Sequence, residues 1–113
     1  MEQKTHLKIN PALWGTPIEL KEGFASVRLT VSEDMAADEY ELAHGGTVFG
    51  LADYAAMLAV NHPNVVLARA NVKFLKPVQT GEVLLAKAKI EKTEGKKIIV
   101  MVDVVNGGGQ VFS

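Results

Sequence analysis

The chain has 113 residues, which suits a single domain, and it has no cysteine, which excludes disulfides, thiolate metal sites and a cysteine nucleophile. Apolar residues make up 48% of it, too many for a disordered chain, yet no apolar run reaches the roughly 20 residues of a membrane span. The net charge of −1 gives no general attraction to nucleic acid or to anionic membranes, so we expect neither as a partner. Because the chain has no cysteine and no apolar N-terminal run, we expect a cytoplasmic location.

The first part of the chain is predicted to contain a peripheral segment, one strand and a loop. Residues 1–17 are interrupted by prolines and a glycine, so we predict a peripheral segment that Leu13 and Trp14 dock onto the body. Apolar and polar residues alternate from Phe24 to Val31, which predicts a strand. The acidic residues 32–42 predict a loop with room for a helical turn.

A buried helix is predicted from Gly46 to Val60, ending at Asn61–Pro63. One side of it is apolar at helical spacing, at Val48, Leu51, Ala52, Ala55, Leu58 and Ala59. The opposite side is apolar as well, at Phe49, Ala56 and Met57. A helix that is apolar nearly all round is typical of a buried one.

The second half of the chain predicts antiparallel strands. Residues 65–78 and 81–92 alternate, and in the first of these strands Ala68, Ala70, Val72 and Phe74 share one face while Arg69, Asn71 and Lys73 share the other. Turns are predicted at Thr93–Lys96 and Asn106–Gly109, with a strand between them and a last strand after them. We therefore predict an α+β fold in a single domain, residues 1–113, with one helix packed on one curved antiparallel sheet.

Asp53 is the one charged residue inside the predicted helix. A buried carboxylate without a partner is costly, so burial is expected to raise its pKa and make it a better base near neutral pH. The alternatives are a solvent-facing position, or a partner such as an N–H group or a lysine. No polar stripe surrounds Asp53, so the sequence favours the buried, functional interpretation.

Gly45 and Gly46 stand at the head of the same helix. The N–H groups of a helix start lack partners and lie at the positive end of its dipole, where they can hold a phosphate or the oxyanion of an attacked carbonyl. The alternative is that two glycines only ease a tight turn. Asp53 follows Gly45 by eight residues, or about 12 Å of helix, so one carbonyl can meet both only if two chains contribute. The sequence thus predicts a homodimer with its sites at the interface.

Two motifs resemble those of the hotdog-fold thioesterases, in particular the PaaI-like acyl-CoA thioesterase group. The first is "HGGTVFGLAD", His44–Asp53, and the second is "ANVKFLKPVQTGEVLLAKAKI", Ala70–Ile90. The resemblance implies a central helix wrapped by an antiparallel sheet, with subunits joined edge to edge in a homodimer or a tetramer of dimers. The implied reaction is hydrolysis of acyl-CoA, with no metal and with CoA present only as part of the substrate.

The resemblance also assigns roles to particular residues. Asp53 matches the general base or nucleophile, and Gly45 matches the residue whose N–H polarises the thioester carbonyl, with Gly46 beside it. His44 would shape the helix start and touch the carbonyl region, or serve only as a structural histidine. Candidate cations for the CoA phosphates are Arg69, Lys73 and Lys76, or these belong to an ordinary solvated strand face. Candidate acyl-pocket residues are Phe49, Tyr54 and Met57, or these belong to the core.

Three departures from the group's pattern bear on turnover. The group usually has an asparagine six residues before the histidine, where this chain has Asp38, and a serine or threonine ten residues before the strand proline, where it has Leu67. The usual water-orienting groups are thus absent or moved, and Asn71 is a candidate replacement. The family also continues its last strand past the position of Ser113, so we expect a shorter or trimmed strand.

These departures keep a second function open, that of a non-catalytic acyl-CoA-binding or sensing protein like the ligand domains of lipid-responsive repressors. Hotdog dehydratases and hydratases are a third possibility, but their usual histidine and acid signatures are not found in this sequence.

Overall fold

The computed structural model describes residues 1–37 and 42–113, and its elements follow the α+β order predicted. In chain order they are α1 (Pro11–Trp14), β1 (Thr16–Lys21), β2 (Phe24–Thr30), a 3-10 turn (Glu33–Met35), α2 (Gly45–Val60), β3 (Val83–Glu94), β4 (Lys97–Asn106) and β5 (Gly109–Phe112). The predicted first strand, the helical turn after it, the long helix and both later hairpin turns are confirmed.

The five strands form one sheet in the order β1-β2-β3-β4-β5, and every neighbouring pair is antiparallel. The register sets Val27 opposite Ala86 and Ala86 opposite Val104, and all three side chains are fully buried. Because alternate residues of a strand share a face, this row of small side chains forms the floor on which α2 lies. Leu51 and Leu58 of α2 are fully buried against it.

Helix α2 is held at both ends by local hydrogen bonds. The His44 ring accepts a hydrogen bond at Nδ1 from the Gly46 N–H at 2.8 Å, which caps the first turn. Asn61 closes the other end in the left-handed conformation, at φ 51°, and its N–H donates to the Met57 carbonyl. Half of the helix residues are buried, as an all-apolar helix predicts: Val48, Leu51, Ala52, Tyr54, Ala55, Met57, Leu58 and Ala59.

Helix α1 and strand β1 are the elements that the sequence pattern does not predict. The sequence places Thr16 and Pro17, the first residues of β1, in the peripheral segment, whereas the structure pairs them with β2. β1 lies at the sheet edge and buries little, with Ile18 half exposed, so it carries only a weak alternation. Gly23, at φ 74°, makes the tight turn that brings β1 back onto β2.

The prediction of a strand at residues 65–78 is wrong: in the single chain this segment forms no regular strand. Only its end pairs with β5: Lys73 exchanges two backbone hydrogen bonds with Ser113, and Leu75 donates to the Val111 carbonyl. β5 has four residues, so it provides no ladder for the rest of the segment. Every residue from 66 to 77 is consequently exposed, and Val66 reaches 78%. We call residues 66–77 the exposed segment.

The peripheral segment docks through Trp14 and not through Leu13. Trp14 packs against the core and lies on the helix at Gly50, where a Cβ atom would come within 2.2 Å of the indole ring. Leu13 is 45% exposed, so the prediction that it docks the segment is wrong. In residues 1–37 and 42–113, no helix has the length and apolarity needed to cross a membrane.

Candidate active site

Asp53 lies in a cavity between α2 and the N-terminal segment. The cavity has a volume of about 300 Å³ and is lined by His6, Ile9, Trp14, Gly50, Asp53 and Tyr54. Oδ1 of Asp53 is buried and has no hydrogen-bond partner among the residues that the structure describes. The side chain as a whole is half-buried, and no lysine satisfies its buried oxygen in the described part of the chain.

Burial raises the pKa of the Asp53 carboxyl above its ordinary value of 3.8, and the nearby His6 imidazole opposes part of that rise. A carboxylate that binds a proton more readily than usual is a stronger base. The position of Asp53 within an apolar helix therefore has the electrostatic consequence that the sequence predicts.

Residues 2–6 form a strap that covers this side of α2. Asn61 at the helix end holds the strap at two points: its Oδ1 accepts from the Lys4 N–H at 2.6 Å, and its Nδ2 donates to the Glu2 carbonyl at 2.8 Å. The Gln3 amide donates to the Tyr54 hydroxyl at 3.3 Å. The strap brings His6 to the Asp53 cavity, which sequence reasoning missed because residues 2–6 carry no motif or periodicity.

The start of α2 presents one free N–H group instead of two. The Gly46 N–H is already bound to His44 Nδ1, so His44 is the cap of the helix. In the described ranges, the Gly45 N–H makes no hydrogen bond. Gly45 opens onto a second cavity of about 190 Å³, and the Phe74 ring lies so close that a Cβ on Gly45 would be 3.3 Å from it.

Within one chain, Gly45 and Asp53 do not face a common space. The cavity at Gly45 is lined by Ala43, Gly45, Val48, Phe74, Leu75, Lys76, Pro77, Val78 and Val111, and it shares no residue with the cavity at Asp53. Eight residues of helix place the two about 12 Å apart along the axis. The single chain thus holds the two parts of the predicted site separately.

The candidate acyl-pocket residues have different surroundings. Tyr54 is buried, at 5% exposure, and it lines the Asp53 cavity. Phe49 packs on the core with its ring 6.4 Å from that of Phe112, and Met57 is buried on α2; neither lines one of the two cavities. For these two residues the core interpretation fits the single chain.

The candidate CoA-binding residues all lie in the exposed segment. Arg69, Asn71, Lys73 and Lys76 are exposed, and none lines the Asp53 cavity. Lys76 borders the Gly45 cavity, with its ammonium group 3.4 Å from the Gly108 carbonyl. Asn71 therefore does not reach Asp53 of its own chain as a replacement water-orienting group.

The two positions where the family pattern changes differ in what the structure shows. Asp38 lies outside the described residues. Leu67 belongs to the exposed segment, and 47% of its surface is exposed. Across residues 1–37 and 42–113 there is no cluster of three or more histidine and acidic side chains able to hold a metal ion.

Comparison with known proteins supports the resemblance. Residues 40–113 match the sequence profile described as the thioesterase superfamily. The chain is 53% identical over 112 residues to methylthioribose-1-phosphate isomerase of Aquifex aeolicus, which is 99% of this chain but 25% of that protein. It superposes on the crystal structure of the uncharacterized protein PH1136 of Pyrococcus horikoshii with a TM-score of 0.97 at 53% identity, covering 99% of this chain and 86% of that one.

More distant relatives have names that point to function. Acyl-coenzyme A thioesterase PaaI of Escherichia coli is 32% identical over 91 residues, which are 79% of this chain and 64% of PaaI, and the E. coli PaaI structure superposes with a TM-score of 0.80. Transcription factor FapR of Bacillus velezensis is 30% identical over 102 residues, which are 88% of this chain and 54% of FapR. This chain thus spans less than two thirds of each of these curated relatives. With its single long helix on a five-stranded antiparallel sheet, the chain has the hotdog fold and belongs to the thioesterase superfamily.

Proposed function

We propose that this chain is an acyl-CoA thioesterase that cleaves its substrate to a carboxylic acid and free CoA in the cytoplasm. The observation that carries the proposal is Asp53: its Oδ1 is buried without a partner among the described residues, and the residue lines a cavity of about 300 Å³. Buried polar atoms are nearly always satisfied, so an orphaned carboxylate oxygen points to a ligand or a water molecule as its working partner.

The proposed chemistry needs a base and an oxyanion donor. Asp53 takes a proton from water, the water oxygen attacks the thioester carbonyl carbon, and the C–S bond breaks as the thiolate leaves and is protonated. Alternatively, the Asp53 carboxylate attacks the carbonyl carbon and the C–S bond breaks as the thiolate leaves and is protonated; water then hydrolyses the resulting mixed anhydride to the acid and the free carboxylate. In both routes negative charge develops on the carbonyl oxygen, and the free Gly45 N–H at the positive end of α2 would stabilise it.

Because Gly45 and Asp53 of one chain face different cavities, we propose that each site combines Gly45 of one subunit with Asp53 of another. The exposed segment supports this assembly. Its apolar side chains Val66, Leu67, Val72, Phe74 and Leu75 are between 40% and 78% exposed in the single chain, which is unusual for a stable surface. We propose that it pairs with a second copy to give a homodimer, or a homotetramer made of two such dimers.

The same assembly would bring Arg69, Asn71, Lys73 and Lys76 to the interface. In this proposal the three cations hold the CoA phosphates, and Tyr54 borders the acyl group beside Asp53. Phe49 and Met57 support the site from the core. His44 acts as the cap of α2, and Gly46, whose N–H is engaged by that cap, supports the free donor at Gly45.

The experiment is a panel of acyl-CoAs of different chain length and aromatic character, with released thiol as the readout. Asp53→Asn and Asp53→Ala are expected to lower kcat by at least about 100-fold, because a general base contributes at least that much. Asp103→Asn is the matched control, since Asp103 is exposed on β4 and lines neither cavity. Activity in the Asp53 variants equal to that of the wild type would refute the proposal.

The second candidate is acyl-CoA binding without hydrolysis. The similarity to FapR and the absence of the usual serine or threonine at Leu67 favour it. It predicts measurable acyl-CoA affinity by calorimetry, with no thiol released from any member of the panel. Turnover that depends on Asp53 decides against it.

A further inference from the structure

His6 lies in the cavity of Asp53, and no sequence motif accounts for it. Among the described residues, the ionisable groups that line this cavity are His6, Asp53 and Tyr54. The His6 ring is half buried and lies 6.1 Å from the ring of Tyr54, tilted by 39°. The imidazole is close enough to Asp53 to oppose the effect of burial on the carboxyl pKa.

The position of His6 is held by an unusual backbone and by several hydrogen bonds. Its φ of 54° is in the left-handed region, which residues other than glycine seldom adopt. The buried Thr5 hydroxyl lies 2.9 Å from His6 Nδ1, and the Gln3 amide donates to the His6 carbonyl at 3.3 Å. Such backbone outliers persist where the surroundings fix them, and they are concentrated at functional sites.

The contact with Thr5 leaves the other ring nitrogen available. Nε2 of His6 makes no hydrogen bond within the part of the chain that the structure describes, and the same is true of Asp53 Oδ1. Asn61 fixes the strap on both sides of Gln3, so the ring cannot easily leave the cavity. The chain therefore presents an imidazole ring and a carboxyl group to one small space.

We propose that His6 is a positioning residue for Asp53, because the strap holds its ring in the cavity that the Asp53 side chain lines. This inference rests on the proposed function, in which Asp53 is the base. The family's usual polar groups do not supply this role here. Leu67 replaces one of them, and Asn71 does not line the cavity. A cation beside a buried acid offsets the desolvation cost of its charged form.

The first test measures the pKa of the Asp53 carboxyl group directly and needs no enzymatic turnover. Protein labelled with ¹³C at aspartate carboxyl carbons is titrated by NMR, and the Asp53 signal is identified as the one lost in Asp53→Asn. His6→Asn is the key variant, because asparagine tolerates the left-handed conformation and carries no charge. We expect the Asp53 pKa to rise further in this variant. His62→Asn, which changes an exposed histidine beyond α2, is the control and is expected to leave the Asp53 pKa unchanged.

A variant of the clamp separates charge from burial. Asn61→Gly keeps the left-handed helix end but removes both hydrogen bonds to the strap. Asp53 is then less buried, and because burial is the larger cause of the shift, its pKa is expected to fall toward the ordinary value. A merely structural role of His6 predicts the same fall in His6→Asn, so the opposite signs in the two variants distinguish the two roles.

The second test uses acyl-CoA turnover. In His6→Asn we expect kcat at pH 5 to fall about tenfold while KM changes less than about twofold, and the acidic limb of the kcat profile to move to higher pH with the Asp53 pKa. An unchanged or lowered Asp53 pKa in His6→Asn overturns the inference, even if Asp53-dependent hydrolysis is intact. A wild type that hydrolyses no acyl-CoA overturns the proposed function instead, and the NMR titration then decides the inference alone.

Discussion

The substitution Gly50→Ala is expected to destabilise this protein. Replacing a glycine in the middle of a helix by alanine normally raises the stability of that helix. A Cβ on Gly50 would lie 2.2 Å from Cζ3 and 2.5 Å from Cε3 of Trp14, so the indole has to leave the helix. A tryptophan buries 150–250 Å² when fully packed, and Trp14 is partly buried, so roughly 100 Å² of contact is at stake. At about 25 cal/mol per Å², the loss is about 2.5 kcal/mol.

The gain in helix propensity works in the opposite direction. Alanine is about 1 kcal/mol more favourable than glycine inside a helix. The net expectation for Gly50→Ala is therefore a decrease of about 1.5 kcal/mol in the free energy of unfolding. In a Trp14→Ala background the clash is gone, and the same substitution is expected to raise the free energy of unfolding by about 1 kcal/mol.

The assay is urea denaturation followed by circular dichroism, with all four proteins of the cycle at one concentration because oligomers unfold with a concentration-dependent midpoint. Trp14 is the single tryptophan, so a red shift of its native emission in Gly50→Ala reports its exposure independently. A stabilising Gly50→Ala in the wild-type background would refute the packing argument, as would an effect of the same sign in both backgrounds.

Four further outcomes follow from the structure. Leu58→Ala, at a fully buried position, is expected to cost about 3 kcal/mol in urea denaturation, and a loss below about 1 kcal/mol would contradict the assigned core. Asp53→Asn tests the linkage to pH: burial favours the protonated acid, so its contribution to stability is present below about pH 3.8 and is lost as the pH rises through the raised pKa of the folded state. In thermal melts the wild type is therefore expected to lose stability relative to Asp53→Asn between pH 4 and 7; a constant difference across that range would argue against a raised pKa. Gly45→Ala is expected to lower kcat/KM for acyl-CoA about tenfold through crowding at the free N–H, while its unfolding free energy stays within about 0.5 kcal/mol, and full activity would remove Gly45 from the site. Val72→Asp, in the exposed segment, is expected to shift the protein to monomers in sedimentation experiments with its circular dichroism unchanged, whereas an unaltered mass would exclude this segment from the interface.

Most of the fold can be predicted because its signals are local. The helix after Gly45 is apolar on nearly all sides and ends at Asn61, the first half of strand β3 alternates, and a glycine-containing turn separates β3 from the apolar strand β4. Strand β1 escapes prediction because it buries little of its own surface. The strand predicted at residues 65–78 has the right alternation, but alternation predicts only which side chains share a face. In the described part of the chain, residues 66–77 remain exposed.

The candidate site can be predicted in part. Asp53 is conspicuous in the sequence as a carboxylate in an apolar helix, and the structure shows its oxygen buried and without a partner among the described residues. The two glycines are not equivalent, which only the geometry reveals, because His44 binds the Gly46 N–H and leaves the one at Gly45 free. His6 is invisible to sequence reasoning, since it reaches Asp53 from 47 positions away in a segment without periodicity.

The sequence by itself determines the α+β order, the buried helix and the acid within it, because hydrophobic spacing and chain punctuation act between near neighbours. Tertiary structure decides what surrounds that acid: the strap held by Asn61, the indole on Gly50, and the separate cavities of Gly45 and Asp53. These depend on contacts between residues distant in the chain, whose energies arise only when the folded backbone brings them together.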